Sequence, residues 1–149
     1  MGDRPFTVRQ AEIPYPALNR FFYHEVGRTF HWADRLVWDE ADWRAWLERP
    51  TVQTWIGYLR GTPAGYFELE KQEAGNVEIA YFGLLPPFLG QGLGGLLLSA
   101  AVQAAWDWDA SRVWVHTCTL DHPAALPNYL KRGFRIYDEK VHLQRLRPA

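Results

Sequence analysis

The chain has 149 residues, 48% of them hydrophobic, with eight tryptophans and a net charge of −1. This composition excludes a chain that stays unfolded, and the length suits one domain, residues 1–149, with a sizeable core. There is no basic field of the kind that binds nucleic acid, and a single cysteine, Cys118, leaves neither an intramolecular disulfide nor a zinc-ribbon spacing.

The opening MGDRPFTVRQ has no apolar run of the signal-peptide type, so a reducing cytoplasm is the expected location. Within it, PFTVRQAEI alternates as a strand does. ALNRFFYHEV and EADWRAWLER place apolar residues at helical spacing, giving two helices. The second starts at Asp39 or Ala41 and stops at Pro50. Then the period changes. VQTWIGYLRG, PAGYFELEK and NVEIAYFGLL read as three successive strands, with turns at Gly61-Thr62-Pro63 and Ala74-Gly75-Asn76. A long apolar helix follows, from about Gly92 to Trp108. It is too short and too broken by Gly, Ser and Gln to span a bilayer, so no membrane role is expected. RVWVHTCTL is a strand by its β-branched content, and HPAALPNYLKR reads as a helix that Gly133 ends. FRIYDEKVHLQRL is a last strand or hairpin. The order β-α-α-β-β-β-α-β-α-β describes an α/β class fold with a mixed (α+β) sheet and helices on its faces.

FLGQGLGG, residues 88–95, carries four glycines directly before the long helix. Glycines permit close backbone approach, and the N–H groups at a helix start favour an anion, most often a phosphate. Three loops compete. A Walker loop needs Lys and then Ser or Thr after its second glycine, but Leu96-Leu97 follow Gly94-Gly95. Residues 90–95 match the dinucleotide pattern G-x-G-x-x-G, yet Asp107 and Asp109 precede the next strand instead of ending it.

The third loop is that of an acyltransferase family. LLPPFLGQGLGGLLL resembles the acyl-CoA loop of the GNAT (GCN5-related) N-acetyltransferases, falling on Leu89-Gly90-Gln91-Gly92-Leu93-Gly94. Leu89 replaces the family's usual Arg or Gln. NYLKRGF, residues 128–134, resembles the family's helix-to-strand ending, with Tyr129 at its frequent tyrosine. His122 stands where an asparagine is common. The resemblance covers essentially the whole chain.

That resemblance implies acetyl-CoA as cosubstrate, no metal, and direct transfer of the acetyl group to a primary amine; no acidic run suggests a histone-like partner, so a small molecule is expected more readily than a protein tail. Phe82, Gly83 and Leu84 end the strand that binds pantetheine, with the Leu84 N–H polarising the thioester carbonyl. Leu89, Gly90, Gln91, Gly92, Leu93, Gly94 and Gly95 cradle the pyrophosphate, and Asn128 joins the cofactor side. No basic residue lies between Glu78 and Arg112, so backbone N–H groups and the helix dipole must meet the phosphate charge.

Two readings of Glu78 stand side by side. It is the base that takes the ammonium proton, or an exposed strand glutamate. Regular alternation puts it on one face with Ala80, Phe82 and Leu84. Tyr129 is either the acid that protonates the leaving thiolate or a core tyrosine. Cys118 reads as a small apolar filler more readily than as a nucleophile. The family's acceptor cover falls on the first two helices and their loop, here Phe30, His31, Trp32, Arg35 and Trp38. Glu68 and His116 complete the acceptor candidates, against plain core packing for most of the aromatics. The resemblance admits a homodimer through the last strands. Two non-enzyme readings also remain: an acyl-CoA-binding sensor without turnover, and an interaction module.

Overall fold

A two-residue turn shows how closely this chain's geometry follows its local chemistry. Leu59 pairs with Thr62, and Arg60 and Gly61 between them have φ of 54° and 81°. Positive φ at both central residues lets a hairpin keep the right-handed twist of its strands. The expected turn at 61–63 therefore falls one residue earlier, and Thr62 and Pro63 already belong to the next strand.

The computed structural model describes residues 5–30, 32–116, 135–137 and 140–144. Its strands are β1 (Phe6–Ala11), β2 (Val52–Leu59), β3 (Thr62–Lys71), β4 (Asn76–Leu84), β5 (Arg112–His116), β6 (Arg135–Tyr137) and β7 (Lys140–Gln144). The helices are α1 (Pro16–Phe30), α2 (Glu40–Leu47) and α3 (Leu93–Asp107). The seven strands form one sheet in the order β1-β2-β3-β4-β5-β7-β6. Neighbours are antiparallel except β4 and β5, which α3 connects in parallel. The expected order holds as far as β5, and the last segment is a hairpin. The expected helix over HPAALPNYLKR lies outside the described residues.

Each helix buries the stripe its sequence spacing marks. In α3 the buried residues are Leu93, Leu97, Leu98, Ala101, Ala104 and Ala105. They pack on Phe67, Leu69, Val77 and Ile79 from one face of the sheet. In α1 they are Pro16, Asn19, Phe22, Tyr23, Val26 and Gly27, and with Trp43 of α2 the side chains of Phe22, Tyr23 and Val26 cover Ile56 and Tyr66 on the opposite face. The result is three layers, with a hydrophobic cluster on each side of the sheet.

Helix boundaries have local causes. Asp39 caps α2: its Oδ1 accepts from the Asp42 N–H at 2.9 Å, while Asp42 Oδ2 accepts from the Asp39 N–H at 3.0 Å. This reciprocal box satisfies donors a helix start otherwise leaves open, worth about 1 kcal/mol. Helix α1 runs past the expected Val26 and through Gly27. Past the helix end at Phe30, the Trp32 N–H donates back to the Gly27 carbonyl at 3.0 Å. A Cβ on Gly27 would stand 2.8 Å from the Trp32 side chain, so glycine permits this return.

Candidate active site

The glycine loop is built to present N–H groups. After a short turn at Pro86–Phe88, Gly90 and Gly92 both take φ of +79°, and Gly92 caps the start of α3 from the left-handed region. Side chains rarely adopt that conformation. No acidic residue occupies the first turn of α3, so nothing there competes with an incoming anion. The loop's apolar members turn inward. Leu93 is fully buried, and Leu89 and Phe88 pack against the α3 cluster. Gln91 Nε2 donates to the Pro87 carbonyl at 3.3 Å, bracing the loop on itself.

Strand β4 leads into this loop, and it changes partners on the way. It pairs with β5 only over Asn76, Val77 and Glu78. From Ile79 onward the described pairing is with β3 alone. The Leu85 N–H donates to the Ala64 carbonyl on the β3 side at 2.8 Å. Successive N–H groups along extended chain point to opposite edges, so that of Leu84 points to the edge that β5, among the described residues, has left. That edge can take an extended ligand as an added strand.

A bulge marks the same place. Leu69 pairs with Ile79 and Glu68 with Tyr81, which leaves Ala80 as an extra residue in β4. Regular alternation placed Glu78 on one face with Ala80, Phe82 and Leu84, and the bulge overturns that expectation. Phe82 and Leu84 pack on the α3 side. Across the sheet, Tyr81 packs with α1 and α2, and a Cβ on Gly83 would meet Val26 of α1 at 2.3 Å. Glu78, two positions before the extra residue, pairs with Glu70 and shares the α1 and α2 face with Tyr81.

On that face a polar network is sealed under aromatic rings. Glu68, fully buried, receives Arg35 Nη1 at 2.9 Å, Trp46 Nε1 at 2.8 Å and Asn19 Nδ2 at 2.9 Å. The Arg35 guanidinium carbon lies 4.4 Å from the ring centre of Trp38, 4.7 Å from Trp46 and 4.1 Å from Tyr81. Burial pulls the Arg35 pKa down, but Glu68 and the surrounding phenols outweigh it and hold the group above its ordinary value. Beside this pair, Asp34 Oδ1 accepts from the Tyr23 hydroxyl at 3.1 Å, and Oδ2 accepts from the Tyr81 hydroxyl. The Arg35 N–H donates to Tyr23 Oη at 2.9 Å.

Glu78 takes part in a further set of hydrogen bonds. Gln72 Nε2 donates to Glu78 Oε1 at 3.0 Å and to Glu70 Oε1 at 3.1 Å, and Trp114 Nε1 donates to Gln72 Oε1 at 3.0 Å. One amide thus links the two cross-strand carboxylates.

The structure brings Arg35, Trp38 and Glu68 into one cluster, with Trp32 against Tyr81 at 5.1 Å between ring centres. His116 closes β5. His31, Cys118, His122, Asn128 and Tyr129 lie outside the described residues. Sequence reasoning missed Asn19, Tyr23, Asp34, Trp46 and Tyr81. The helical stripe of α1 pointed at Asn19 and Tyr23, but nothing local reported the bulge that turns Tyr81 toward them. Among the described residues, no group of three or more His, Cys, Asp or Glu is placed to hold a metal. No helix among them is long and apolar enough to cross a membrane.

A divided parallel strand pair with a glycine-capped crossover helix defines an acyl-CoA-type transferase fold. Residues 15–134 match the model of the acetyltransferase (GNAT) family, and the chain belongs to that family of N-acetyltransferases. No curated protein matches the chain. Among solved structures it resembles the PaiA N-acetyltransferase of Thermoplasma acidophilum in complex with coenzyme A, with a TM-score of 0.73 at 14% identity over 94% of this chain and 99% of that one. A GNAT family acetyltransferase from Elizabethkingia anophelis with acetyl-CoA bound gives 0.70 at 16%, over 97% and 100%. The aminoglycoside acetyltransferase meta-AAC0020, from an uncultured soil sample, gives 0.67 at 16%, over 85% and 86%. At these identities the likeness carries the fold.

Proposed function

We propose that the chain, as one cytoplasmic domain over residues 1–149, moves an acetyl group from acetyl-CoA directly to a primary amine of a small molecule. The observation that carries this reading is the loss of β5 from the β4 edge after Glu78, just before a loop of left-handed glycines at the start of α3. The pantetheine arm adds to the open edge, with the Leu84 N–H on the thioester carbonyl. The N–H groups of residues 90–95 take the pyrophosphate. Two of the structural relatives were solved with coenzyme A or acetyl-CoA, and one is an aminoglycoside acetyltransferase, which supports a small-molecule amine.

Glu78 lies six residues, about 20 Å of strand, before Leu84. At that range it takes the ammonium proton through water and not by direct contact. Tyr129 protonates the leaving thiolate. Arg35, Trp38 and Glu68 contribute to the acceptor side as a prebuilt wall, with Trp32 at its margin, and His31 and His116 stay among the acceptor candidates.

Thermal melting with acetyl-CoA, CoA and NAD, each at about 1 mM, tests the cosubstrate. At ~100 times its dissociation constant a ligand adds about 2.7 kcal/mol, a shift of several degrees. Acetyl-CoA and CoA should stabilise and NAD should not. Amine-dependent thiol release then tests turnover, with Glu78→Gln lowering kcat and preserving the acetyl-CoA shift. Stabilisation by NAD alone overturns the reading, and binding without any turnover leaves an acyl-CoA sensor in its place.

A further inference from the structure

Tyr81 is the first β4 residue after the bulge, where the strand's other edge has lost β5. It stands three residues, about 10 Å of strand, before Leu84, half as far as Glu78. Its hydroxyl proton is committed to Asp34 Oδ2. What remains on Tyr81 Oη is lone pairs, so toward a ligand this oxygen only accepts. The Tyr23 hydroxyl fixes the other oxygen of Asp34, so two phenols hold the carboxylate in place while it stays exposed at the surface.

Among the described residues, the charged and titratable groups that act on Tyr81 are Tyr23 from α1 and Asp34 and Arg35 from the loop between α1 and α2, and Tyr66 and Glu68 from β3 act in turn on Arg35. Arg35 is already spent on Glu68 at 2.9 Å, deep in the protein. Among the described residues, one positive and two negative groups therefore leave the patch with an unbalanced negative charge, carried by the exposed member, Asp34. A site that offers a fixed anion and an acceptor-only phenol oxygen selects a cation rich in N–H donors.

We infer that Tyr81, backed by Asp34, is the receptor for the acceptor's amine. The acceptor arrives as an aliphatic ammonium and donates N–H bonds to Tyr81 Oη and Asp34. This holds the nitrogen beside the open edge while Glu78, further back, drains the proton. The inference deepens the acetyl-transfer reading and rests on it. It assigns acceptor recognition to the Tyr81–Asp34 pair, and it makes the buried Arg35–Glu68 pair the support of that site and not its contact surface.

The test is steady-state kinetics by thiol release with L-lysine, tyramine, 1,3-diaminopropane and kanamycin as probe amines. It compares the wild-type chain with Tyr81→Phe and Asp34→Asn, and melting with and without acetyl-CoA runs alongside. In both variants the KM for amine should rise at least tenfold, by far more than kcat falls, while the acetyl-CoA melting shift is preserved. An unchanged amine KM in both variants overturns the proposal. So does a loss of the acetyl-CoA shift equal to the loss of turnover, which marks a structural role. If Tyr81→Phe fails to fold, Asp34→Asn decides alone, because its side chain is exposed and isosteric. A wild-type chain that is stabilised by acetyl-CoA but acetylates none of the four amines overturns the assigned acceptor class and spares cosubstrate binding. A chain that acetyl-CoA does not stabilise overturns the underlying reading, and the receptor falls with it.

Discussion

The guanidinium of Arg35 and the carboxylate of Glu68 lie 2.9 Å apart with 5% and 0% of their side chains exposed. Tryptophans close over the cation, and Asn19 and Trp46 complete the hydrogen bonds of the anion. Cutting such a pair strands one charge in a medium that solvates it poorly, at a cost of about 3–5 kcal/mol. Glu68→Ala should therefore lower the urea midpoint steeply, with the unpaired Asn19 and Trp46 donors adding to the loss. Replacing both partners, Arg35→Met with Glu68→Leu, should recover the part due to the stranded charge and leave the cost of the unpaired donors. A double variant no more stable than Glu68→Ala would show that the aromatic box depends on the cation itself.

Two glycines of the loop should separate folding from binding. Gly92 sits at φ +79°, so Gly92→Ala costs about 1–2 kcal/mol of stability whether or not a ligand is present. At Gly94 an added Cβ would meet only Leu84 Cδ1, at 3.9 Å, an ordinary contact. Gly94→Ala should leave the melting temperature of the free chain unchanged or slightly higher, since alanine favours helix. If the backbone there closes on a pyrophosphate, the same methyl should cut acetyl-CoA affinity about tenfold. Calorimetric titration of both variants with acetyl-CoA reads the difference.

Gly83 was expected on the cofactor side, and the structure gives it a second duty. A Cβ there would stand 2.3 Å from Val26 Cγ1 in α1. Gly83→Ala should destabilise by about 1–3 kcal/mol through overpacking. Val26→Ala, combined with it, should restore part of that loss by clearing the space. Chemical denaturation of the two single variants and the double variant measures the coupling.

Alkaline pH should unfold the chain through its buried phenols. Burial, the largest cause, pushes Tyr23 up to about 12, and it also drives Tyr66 and Tyr81 upward. An unfolded tyrosine releases its proton near pH 10. Between about pH 10 and 12 the folded chain keeps protons that the unfolded chain has lost, so stability falls as pH rises through that window. Below pH 10 this contribution is intact. Urea midpoints should stay level up to about pH 9.5 and then drop, and Tyr23→Phe should flatten the drop. Tyrosinate absorbance reaching its full value for all seven tyrosines before unfolding would contradict it.

Much of the frame was legible in the residues. The helical stripes of α1 and α3, the Asp39 cap and the three strands before the glycine loop follow from periods and caps that act within a few residues. What stayed hidden acts over distance. Arg35 and Glu68 are 33 positions apart, and no local pattern says that a guanidinium and not a ligand fills the box of Trp38 and Trp46. The spare residue at Ala80 is likewise a property of how β4 aligns on β3. Read with regular alternation, Tyr81 belonged to the wrong side, so the acceptor list held Arg35 and Glu68 but neither Tyr81 nor Asp34.

The spare residue at Ala80 works as a parity bit. A strand has only two sides, so what each residue from Tyr81 to Leu84 confronts depends on whether an odd or even number of positions separates it from Glu78. Deleting Ala80 would erase the bit and swap the side chains of those four residues between the two sides. Inserting a second residue beside it would do the same, although the composition of the strand would barely change. Relatives and engineered variants of this chain should therefore be aligned here by counting modulo two before any residue in the strand is given a role.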